Sequence, residues 1–204
     1  MKFLYSPGAC SLGIHVILEE IGKPFEGQRF STRDGGTYKP DFVAMNPKSK
    51  VPTLVRDDGS VLTEFQTIAF WLARAHPEAK LIPDDLDGQT RVLEMLDYIC
   101  GTIHPQGFTR QFRPANFARD EADQPRVVAQ GKEMAEKYLA LLAANWTGSE
   151  WLLPSGYSVA DSALFFIEHW CSRVGITPPA RIAEHHNAML ARPAVQRALA
   201  NEAA

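Results

Sequence analysis

Residues 2–24 read KFLYSPGACSLGIHVILEEIGKP, which predicts a strand, a turn and a helix in that order. Lys2–Tyr5 is typical of a short strand, and the Ser-Pro-Gly turn that follows stops it. Apolar side chains then recur with the i, i+3, i+4, i+7 spacing of one helix face. Gly22 is placed to end that helix, and Pro24 prevents its continuation. The stretch therefore predicts the beginning of a small α/β domain.

The following fifty residues extend this domain. Residues 25–30 are compatible with a second strand, whereas residues 31–50 are polar, rich in Gly, Lys and Pro, and predicted to be irregular. Residues 52–55 and 60–62 flank an Arg-Asp-Asp-Gly turn, which is typical of a hairpin because glycine supplies the positive φ that such turns need. A helix with an apolar stripe over residues 65–75 follows. The element order is βαβ and then ββα.

Strand patterns end at residues 76–89, an acidic segment with two prolines that has the features of a linker. Helical apolar stripes recur after it, at 92–103, 127–141, 160–174, 179–192 and 194–202. The sequence therefore predicts an α+β protein. Its domains are an α/β domain over residues 1–80, a linker at 81–88 and an all-helical domain over 89–204.

Composition places the chain among soluble globular proteins. Of its 204 residues, 45% are apolar and 22% are charged. The net charge of −3 gives no reason to expect nucleic acid or an anionic membrane as a partner. Three scattered cysteines are too few for a disulfide framework or a zinc cluster, which predicts reduced thiols and a cytoplasmic location. The apolar run at 163–167 is too short to cross a bilayer.

Cys10 has a physical reason to react, because it lies at the expected N-terminus of the first helix. The unpaired N–H groups and partial positive charge there favour a thiolate over a thiol. The alternative is that Cys10 is a small, half-buried residue that fills the turn. Gly13 stands where a CxxC motif has its second cysteine, so any chemistry here uses one thiol.

Two other positions suggest ligand contacts through the backbone. A cis Val51–Pro52 bond frees the Val51 N–H and C=O to pair with an extended peptide, whereas a trans bond only begins an edge strand. Thr63, Glu64 and Phe65 stand between a strand and a helix. Backbone N–H groups there bind a carboxylate while Glu64 pairs with an ammonium group, or these are ordinary first residues of a helix.

The remaining motifs point to structure more than to chemistry. Ser158 and Asp161 form an S-x-x-D capping box before an apolar run, which predicts the start of a core helix. His104 ends a helical stripe, where a lone histidine is usually a core or surface residue. The six histidines share no metal-binding spacing, so no metal is predicted.

Five segments together resemble the glutathione S-transferases, specifically the bacterial beta class. In chain order they are MKFLYSPGACSLGIHVILEEIGKPFE, MNPKSKVPTLVRDDGSVLTE, YICGTIHPQGF, GYSVADSALF and RPAVQRALANE. Each is modest alone, but five in this order are specific and cover the whole chain. The resemblance implies a thioredoxin-like N-terminal domain with a cis-proline, followed by an all-α C-terminal domain.

The resemblance also implies a glutathione site. Val51, before cis-Pro52, would hold the cysteinyl backbone of glutathione, and Glu64 with the Phe65 N–H would hold its γ-glutamyl end. Cys10 would lie beside the glutathione sulfur, within reach of a mixed disulfide. The other residues implied for this site, by contact or by nearby backbone, are Arg33, Lys50, Asp97, Thr102, Ile103 and the catalytic His104.

Among these residues, Asp97 would reach the ligand of a neighbouring subunit, which implies a homodimer. Either Arg33 or Lys50 would meet the glycyl carboxylate. The walls expected for a pocket that holds a small hydrophobic electrophile are Tyr5, Phe108, Phe112 and Trp170.

Two residues depart from the family pattern. Many relatives have Ser or Gly where this chain has Phe65, whose bulk predicts weaker glutathione binding or a shifted pose. His104 is followed by Pro105, whereas relatives often have a basic residue nearby, and Pro105 predicts a kink in the helix.

The leading hypothesis is a cytoplasmic, dimeric glutathione transferase that joins the glutathione thiolate to hydrophobic electrophiles, with glutathione as co-substrate and no metal. The alternatives are a non-catalytic glutathione-binding module and glutathione-dependent thiol–disulfide exchange through Cys10.

Overall fold

A computed structural model describes residues 1–203. Its sheet has four strands: β1 (Lys2–Tyr5), β2 (Glu26–Arg29), β3 (Thr53–Val55) and β4 (Val61–Thr63). The spatial order is β2-β1-β3-β4, with β1 parallel to β2 and the other two pairings antiparallel. The predicted βαβ and ββα order is confirmed, and each strand lies within a residue or so of its predicted position.

Three α-helices belong to the same half of the chain: α1 (Ser11–Ile21), α2 (Pro40–Met45) and α3 (Phe65–Ala75). Helix α1 ends as predicted at Gly22, whose φ of +70° lets its N–H return to the Leu18 carbonyl.

The prediction that residues 31–50 are irregular is wrong in part, because they contain α2 and a short 3-10 turn before it. Proline fits the first turn of α2, where its missing N–H costs nothing. Phe42 of α2 is fully buried, and its ring lies 4.8 Å from that of Phe30. Burial of this aromatic pair against Leu4 and Val51 gives the segment a small core of its own.

The second half is helical in the part of the chain that the structure describes. Its helices are α4 (Leu86–Asp97), α5 (Thr109–Phe112), α6 (Gln124–Ala144), α7 (Val159–Cys171), α8 (Ala180–Ala191) and α9 (Pro193–Ala203). A π-helical segment, Tyr98–Phe108, joins α4 to α5. Helix α4 begins inside the segment 81–88, because Asp85 caps it by accepting the Gly88 N–H at 2.8 Å.

The capping box at the start of α7 forms as predicted. The Asp161 carboxylate accepts the Ser158 N–H at 2.8 Å, and the Ser158 hydroxyl accepts the Ala160 N–H. Asp161 is fully buried and also accepts the Leu152 N–H at 2.8 Å. The box therefore fixes both the start of α7 and the loop that packs on it.

Helix α1 joins the two halves, since it packs on α3 of its own half and on α7 and α9 of the helical half. Most of the buried apolar side chains form one continuous core that runs through both halves. The loop before α1 consequently lies against the C-terminal helices. Within residues 1–203, no helix has both the length and the hydropathy needed to span a bilayer.

Candidate functional site

The turn between β1 and α1 sets the position of Cys10. The Ser11 hydroxyl donates to the Ser6 carbonyl at 3.1 Å and accepts the Ser6 N–H at 3.2 Å. Gly8 has a φ of +65°, which glycine adopts without strain. Cys10 is the residue just before α1, and its side chain packs partly buried against the core.

The Val51–Pro52 bond is cis, so the trans alternative is wrong, and pairing of the Val51 backbone with a peptide stays a prediction. The Cys10 thiol lies within 3.5 Å of the Val51 carbonyl and donates to it. The Asn46 amide donates to both the Lys50 carbonyl and the Thr53 hydroxyl at 2.8 Å, and so holds the chain before and after the proline. The structure thus brings Cys10 and Val51 together.

Burial and the helix end have opposite effects on the pKa of Cys10. Burial raises the pKa of the Cys10 thiol to about 12, and Glu202 adds to the rise. Backbone N–H groups of Cys10 and Ser11 and the charge of Lys50 act in the opposite direction, but they are the smaller effects. Loss of hydration outweighs the helix end here, so the thiol is protonated at neutral pH.

Glu64 occupies the exposed corner where β4 meets α3. Its φ of +69° is unusual for a residue other than glycine, and such conformations concentrate at functional sites. The Lys48 ammonium donates to the Glu64 carboxylate at 2.7 Å and to the Thr63 hydroxyl at 2.9 Å. The carboxylate is therefore already positioned to pair with a positive charge.

Phe65 begins α3, and its side chain belongs to the core. The ring is 6% exposed and lies 5.4 Å from the ring of Phe166. A methyl group at Gly13 would come within 2.8 Å of it, so glycine in α1 makes room for this ring. The Phe65 side chain, which is larger than the Ser or Gly of many relatives, therefore packs between α1 and α7. Its backbone N–H remains at the start of α3.

Aromatic rings from α7 and the π-helical segment form one cluster. The Trp170 ring lies 5.0 Å from His104, 5.8 Å from Phe108 and 5.3 Å from Phe112. Phe166 also contacts His104, at 5.6 Å. Three of the four predicted pocket walls thus come together with the predicted catalytic histidine.

Tyr5, the fourth predicted wall, lies elsewhere. Its ring stacks on Phe3 at 5.6 Å and contacts His15 at 5.3 Å. Phe3 and Tyr5 share one face of β1 because side chains two residues apart point the same way. That face packs on α1, so the structure does not bring Tyr5 to the cluster around Trp170.

Pro105 lies inside the π-helical segment, and the kink predicted there stays a prediction. The Thr109 N–H donates to the His104 carbonyl five residues back, which is the π-helical spacing, and the Thr109 hydroxyl donates to the same oxygen at 3.2 Å. Burial, aided by the charge of Lys50, lowers the pKa of His104 to about 4. The imidazole is therefore neutral at physiological pH.

The remaining predicted site residues differ in exposure. Lys50 is exposed, and its charge lowers the pKa of both Cys10 and His104. Arg33 is exposed and acts on Arg173. The remaining three lie along α4 and the π-helical segment: Asp97 is exposed, Thr102 is half-buried and Ile103 is buried.

Residues from the far end of the chain also hold the Cys10 turn, and local sequence patterns did not identify them. The Glu202 carboxylate accepts the Gly8 N–H at 2.7 Å and contacts His15 Nδ1 at 3.2 Å. The Gly8 carbonyl accepts the Trp170 indole N–H at 2.8 Å and an Arg173 N–H at 2.9 Å. These contacts span 162 to 194 residues of sequence, which no local periodicity reports.

Comparisons with known proteins identify the family. Residues 8–75 match the family model for the glutathione S-transferase N-terminal domain. The chain is 34% identical to glutathione S-transferase GstA of Escherichia coli O157:H7, over 99% of this chain and 98% of that protein. The chain belongs to the glutathione S-transferase family.

Solved glutathione S-transferase structures share the fold of the whole chain. The bacterial beta-class enzyme of Sphingomonas chungbukensis is 30% identical with a TM-score of 0.86, covering 99% of this chain and 98% of that one. A sphingomonad glutathione S-transferase complexed with glutathione is 32% identical with a TM-score of 0.87, covering 100% and 99%. The thioredoxin-like domain followed by a helical domain is thus the family architecture.

Proposed function

We propose that this glutathione S-transferase is a cytoplasmic homodimer that joins glutathione to small hydrophobic electrophiles, a reaction suited to detoxification. One observation carries the proposal. The Val51 backbone and the Cys10 thiol, 3.5 Å apart, lie on a turn that Trp170 of the aromatic cluster holds by a direct hydrogen bond. These contacts support a peptide-binding edge beside the aromatic cluster, as conjugation of a thiol tripeptide requires.

Glutathione fits the polar half of this site group by group. The Val51 N–H and C=O pair with its cysteinyl backbone as a single-residue strand addition. The exposed Glu64 carboxylate meets the γ-glutamyl ammonium, and the N–H groups that begin α3 at Phe65 meet its carboxylate. Lys50 or Arg33 meets the glycyl carboxylate. Glutathione is also bound in the sphingomonad relative, which supports this assignment.

The mechanism uses the glutathione thiol as the nucleophile and leaves Cys10 protonated. A thiol with a pKa near 8.5 is only a few per cent thiolate at neutral pH. The Cys10 S–H, the positive charge of Lys50 and backbone N–H groups stabilise the thiolate beside them. A drop of about two pKa units corresponds to roughly 2.7 kcal/mol and makes the thiolate dominant.

The thiolate then attacks an electrophilic carbon held against the aromatic cluster. A carbon–sulfur bond forms, the leaving group departs with its bonding electron pair, and the thiol proton passes to solvent. The neutral His104 imidazole lines this pocket together with Trp170 and Phe112. Its neutrality suits a pocket for uncharged rings, because an imidazolium there would be costly to bury.

Conjugation of glutathione to chlorodinitrobenzene, followed by thioether absorbance, tests the proposal. We expect saturable turnover, and we expect Glu64→Gln to raise the KM for glutathione about tenfold with little change in kcat, since it removes the charge that meets the ammonium group. Glu78→Gln, an exposed change at a lysine-paired glutamate, is the matched control. Glutathione binding by calorimetry without any turnover would contradict the transferase and support the non-catalytic module.

The homodimer proposal rests on the outer face of α4. Leu86 is 78% exposed and Leu93 is 40% exposed, and their spacing from each other and from Asp97 places all three on one face of the helix. Apolar side chains beside an exposed carboxylate suit a second copy of the chain whose bound glutathione Asp97 reaches.

A further inference from the structure

Three arginines lie where the segment around Phe112 meets the segment around Thr32. Arg173 donates to the Gly8 carbonyl at 2.9 Å, and its guanidinium lies 5.5 Å from the centre of the Phe112 ring. Arg113, next to Phe112 in the chain, crosses to the other half of the molecule and donates to the Thr32 carbonyl. Arg33 follows Thr32. The Arg173 guanidinium thus lies beside Phe112 and the Arg113 guanidinium beside Thr32, and Arg33 is the neighbour of Thr32 in the chain.

These charges have no acidic partners within the part of the chain that the structure describes. No carboxylate of residues 1–203 lies within 4.0 Å of Arg33, Arg113 or Arg173, although Arg192 and Arg197 each pair with a glutamate. The arginines also repel one another. Partial burial and then the charge of Arg33 lower the pKa of Arg173. A positive cluster of this kind gains free energy when an anion binds to it.

The proposed glutathione pose uses only part of this charge. One carboxylate of glutathione lies at the start of α3, and the other is met by Lys50 or Arg33. Arg113 and Arg173 lie on the pocket side and are left without an anion. A guanidinium presents paired donors that match a carboxylate, so both residues suit a carboxylate on the second substrate.

The floor beneath these arginines is aromatic. Phe112 is 36% exposed, and its ring lies 5.3 Å from Trp170 and 6.4 Å from Phe108. A flat ring that stacks on the exposed part of Phe112 places a substituent at its rim next to the Arg173 guanidinium.

From this arrangement we propose that the electrophile pocket selects aromatic electrophiles that carry a carboxylate, held by Arg113 and Arg173. The inference rests on the proposed transferase function. In the step itself the glutathione thiolate attacks the ring carbon that bears a halide. The carbon–sulfur bond forms, halide leaves with the electron pair of its bond, and the thiol proton goes to solvent.

A matched pair of probes, chlorodinitrobenzoate and its methyl ester, tests the proposal, because the two differ at the charged group alone. We expect the wild-type protein to favour the acid in kcat/KM. Arg113→Gln and Arg173→Gln are each expected to lower the acid-to-ester ratio about threefold to fivefold, and the double variant about tenfold or more. The wild-type ratio is also expected to fall as salt is raised, since salt screens exposed charges.

The ester serves as the internal control for the shape of the site, because Arg173 also contacts the Cys10 turn. Arg126→Gln is the control for net charge, since Arg126 lies on the exposed side of α6. An acid-to-ester ratio that is the same in the wild type, both single variants and the control would overturn the inference.

If the protein turned over neither probe, that result would contradict the proposed function. A binding measurement would then decide the inference separately. Calorimetric titration of the acid and of the ester into the glutathione-saturated protein is expected to show tighter binding of the acid, lost in the double variant. Equal affinity for acid and ester would overturn the inference whatever the activity.

Discussion

At the scale of single residues, Cys10 shows how two opposing effects on one pKa are decided. Its place before α1 favours a thiolate, and each backbone N–H there lowers the pKa of the thiol. Burial has the opposite and larger effect, because a thiolate loses more hydration than a thiol. Cys10 therefore donates a hydrogen bond to the Val51 carbonyl. A protonated thiol also makes thiol–disulfide exchange slow.

The raised pKa predicts that Cys10 is chemically unreactive. At about pH 8 its alkylation by iodoacetamide is expected to be at least about a hundredfold slower than that of a free cysteine, because so little thiolate is present. Mass spectrometry of the modified peptide measures the rate. A Cys10 that is modified as fast as free cysteine would show that the helix end, and not burial, controls the thiol.

Glu202 is a second residue whose role depends on its position, because its carboxylate holds the turn before α1. Glu202→Ala is expected to lower both the free energy of unfolding, by about 1–3 kcal/mol, and kcat/KM, because the Gly8 N–H and His15 lose their buried acceptor. Thermal unfolding and chlorodinitrobenzene kinetics measure the two effects. Glu202→Gln keeps an oxygen for Gly8 and is expected to recover much of the loss. If Glu202→Gln and Glu202→Ala lost stability and kcat/KM equally, the negative charge of Glu202 would be responsible instead.

At the scale of elements, α7 and α8 are joined by a buried polar triad. His185 of α8 contacts Asp161 through Nε2 at 3.1 Å and Glu168 through Nδ1 at 2.8 Å, and all three side chains are buried. Burial by itself lowers the pKa of His185, but the two acidic partners more than offset this and raise it to about 9. Burial raises the pKa of Glu168 to about 7. Asp161 thus serves the capping box and this triad together.

The triad predicts that stability falls as pH rises. The folded state holds these protons more tightly than the unfolded chain, so stability is present at low pH. The contribution of Glu168 to stability is lost as the pH rises from about 4.5 to about 7, and that of His185 is lost from about 6.5 to about 9. Denaturant unfolding at several pH values measures the slope. In His185→Gln the slope above about pH 7 is expected to shrink. If the slope were the same in His185→Gln as in the wild type, a group other than His185 would be responsible for the pH dependence.

The π-helical segment is the second element that positions the site. Pro105 removes a backbone donor inside the helix, and the backbone accommodates this by wider turns without breaking. Close approach to α6 supports the segment, since a methyl group at Gly107 would come within 2.8 Å of the Ala135 side chain. The segment thereby presents His104 and Phe108 to Trp170.

At the scale of the whole molecule, the site is built from both halves of the chain. The turn before α1 supplies Cys10, and the C-terminal helices supply Trp170, Arg173 and Glu202, which hold Gly8. The aromatic cluster and the Val51 backbone therefore keep a fixed relation, because the turn before α1 is bonded to both. In the proposed dimer, the site would also include Asp97 from a second copy of the chain.

The proposed dimer predicts two separable effects on α4. Asp97→Ala is expected to raise the KM for glutathione about tenfold while the protein stays dimeric, because a contact to the ligand of the other subunit is lost. Leu93→Asp is expected to give folded monomers, because it places a charge on the apolar face. Analytical ultracentrifugation and kinetics measure both. Wild-type protein that sediments only as monomers would contradict the homodimer.

The sequence alone determined the order of strands and helices, the end of α1 at Gly22, and the capping box at Ser158, because each depends on residues within a few positions of one another. The five family segments also gave the fold class. Local pattern failed for residues 31–50, because Phe42 orders that segment by burial against residues distant in sequence.

Only the tertiary structure decided how burial shifts the pKa of Cys10, the separation of Tyr5 from the aromatic cluster, and the contacts of Arg113 with Thr32 and of Arg173 with Phe112. Burial depends on what the rest of the chain places around a group, and charge interactions depend on distances in space. Helix propensity, capping and turn chemistry act over a few residues of sequence, whereas desolvation and the meeting of side chains up to 194 residues apart exist only once the chain has folded.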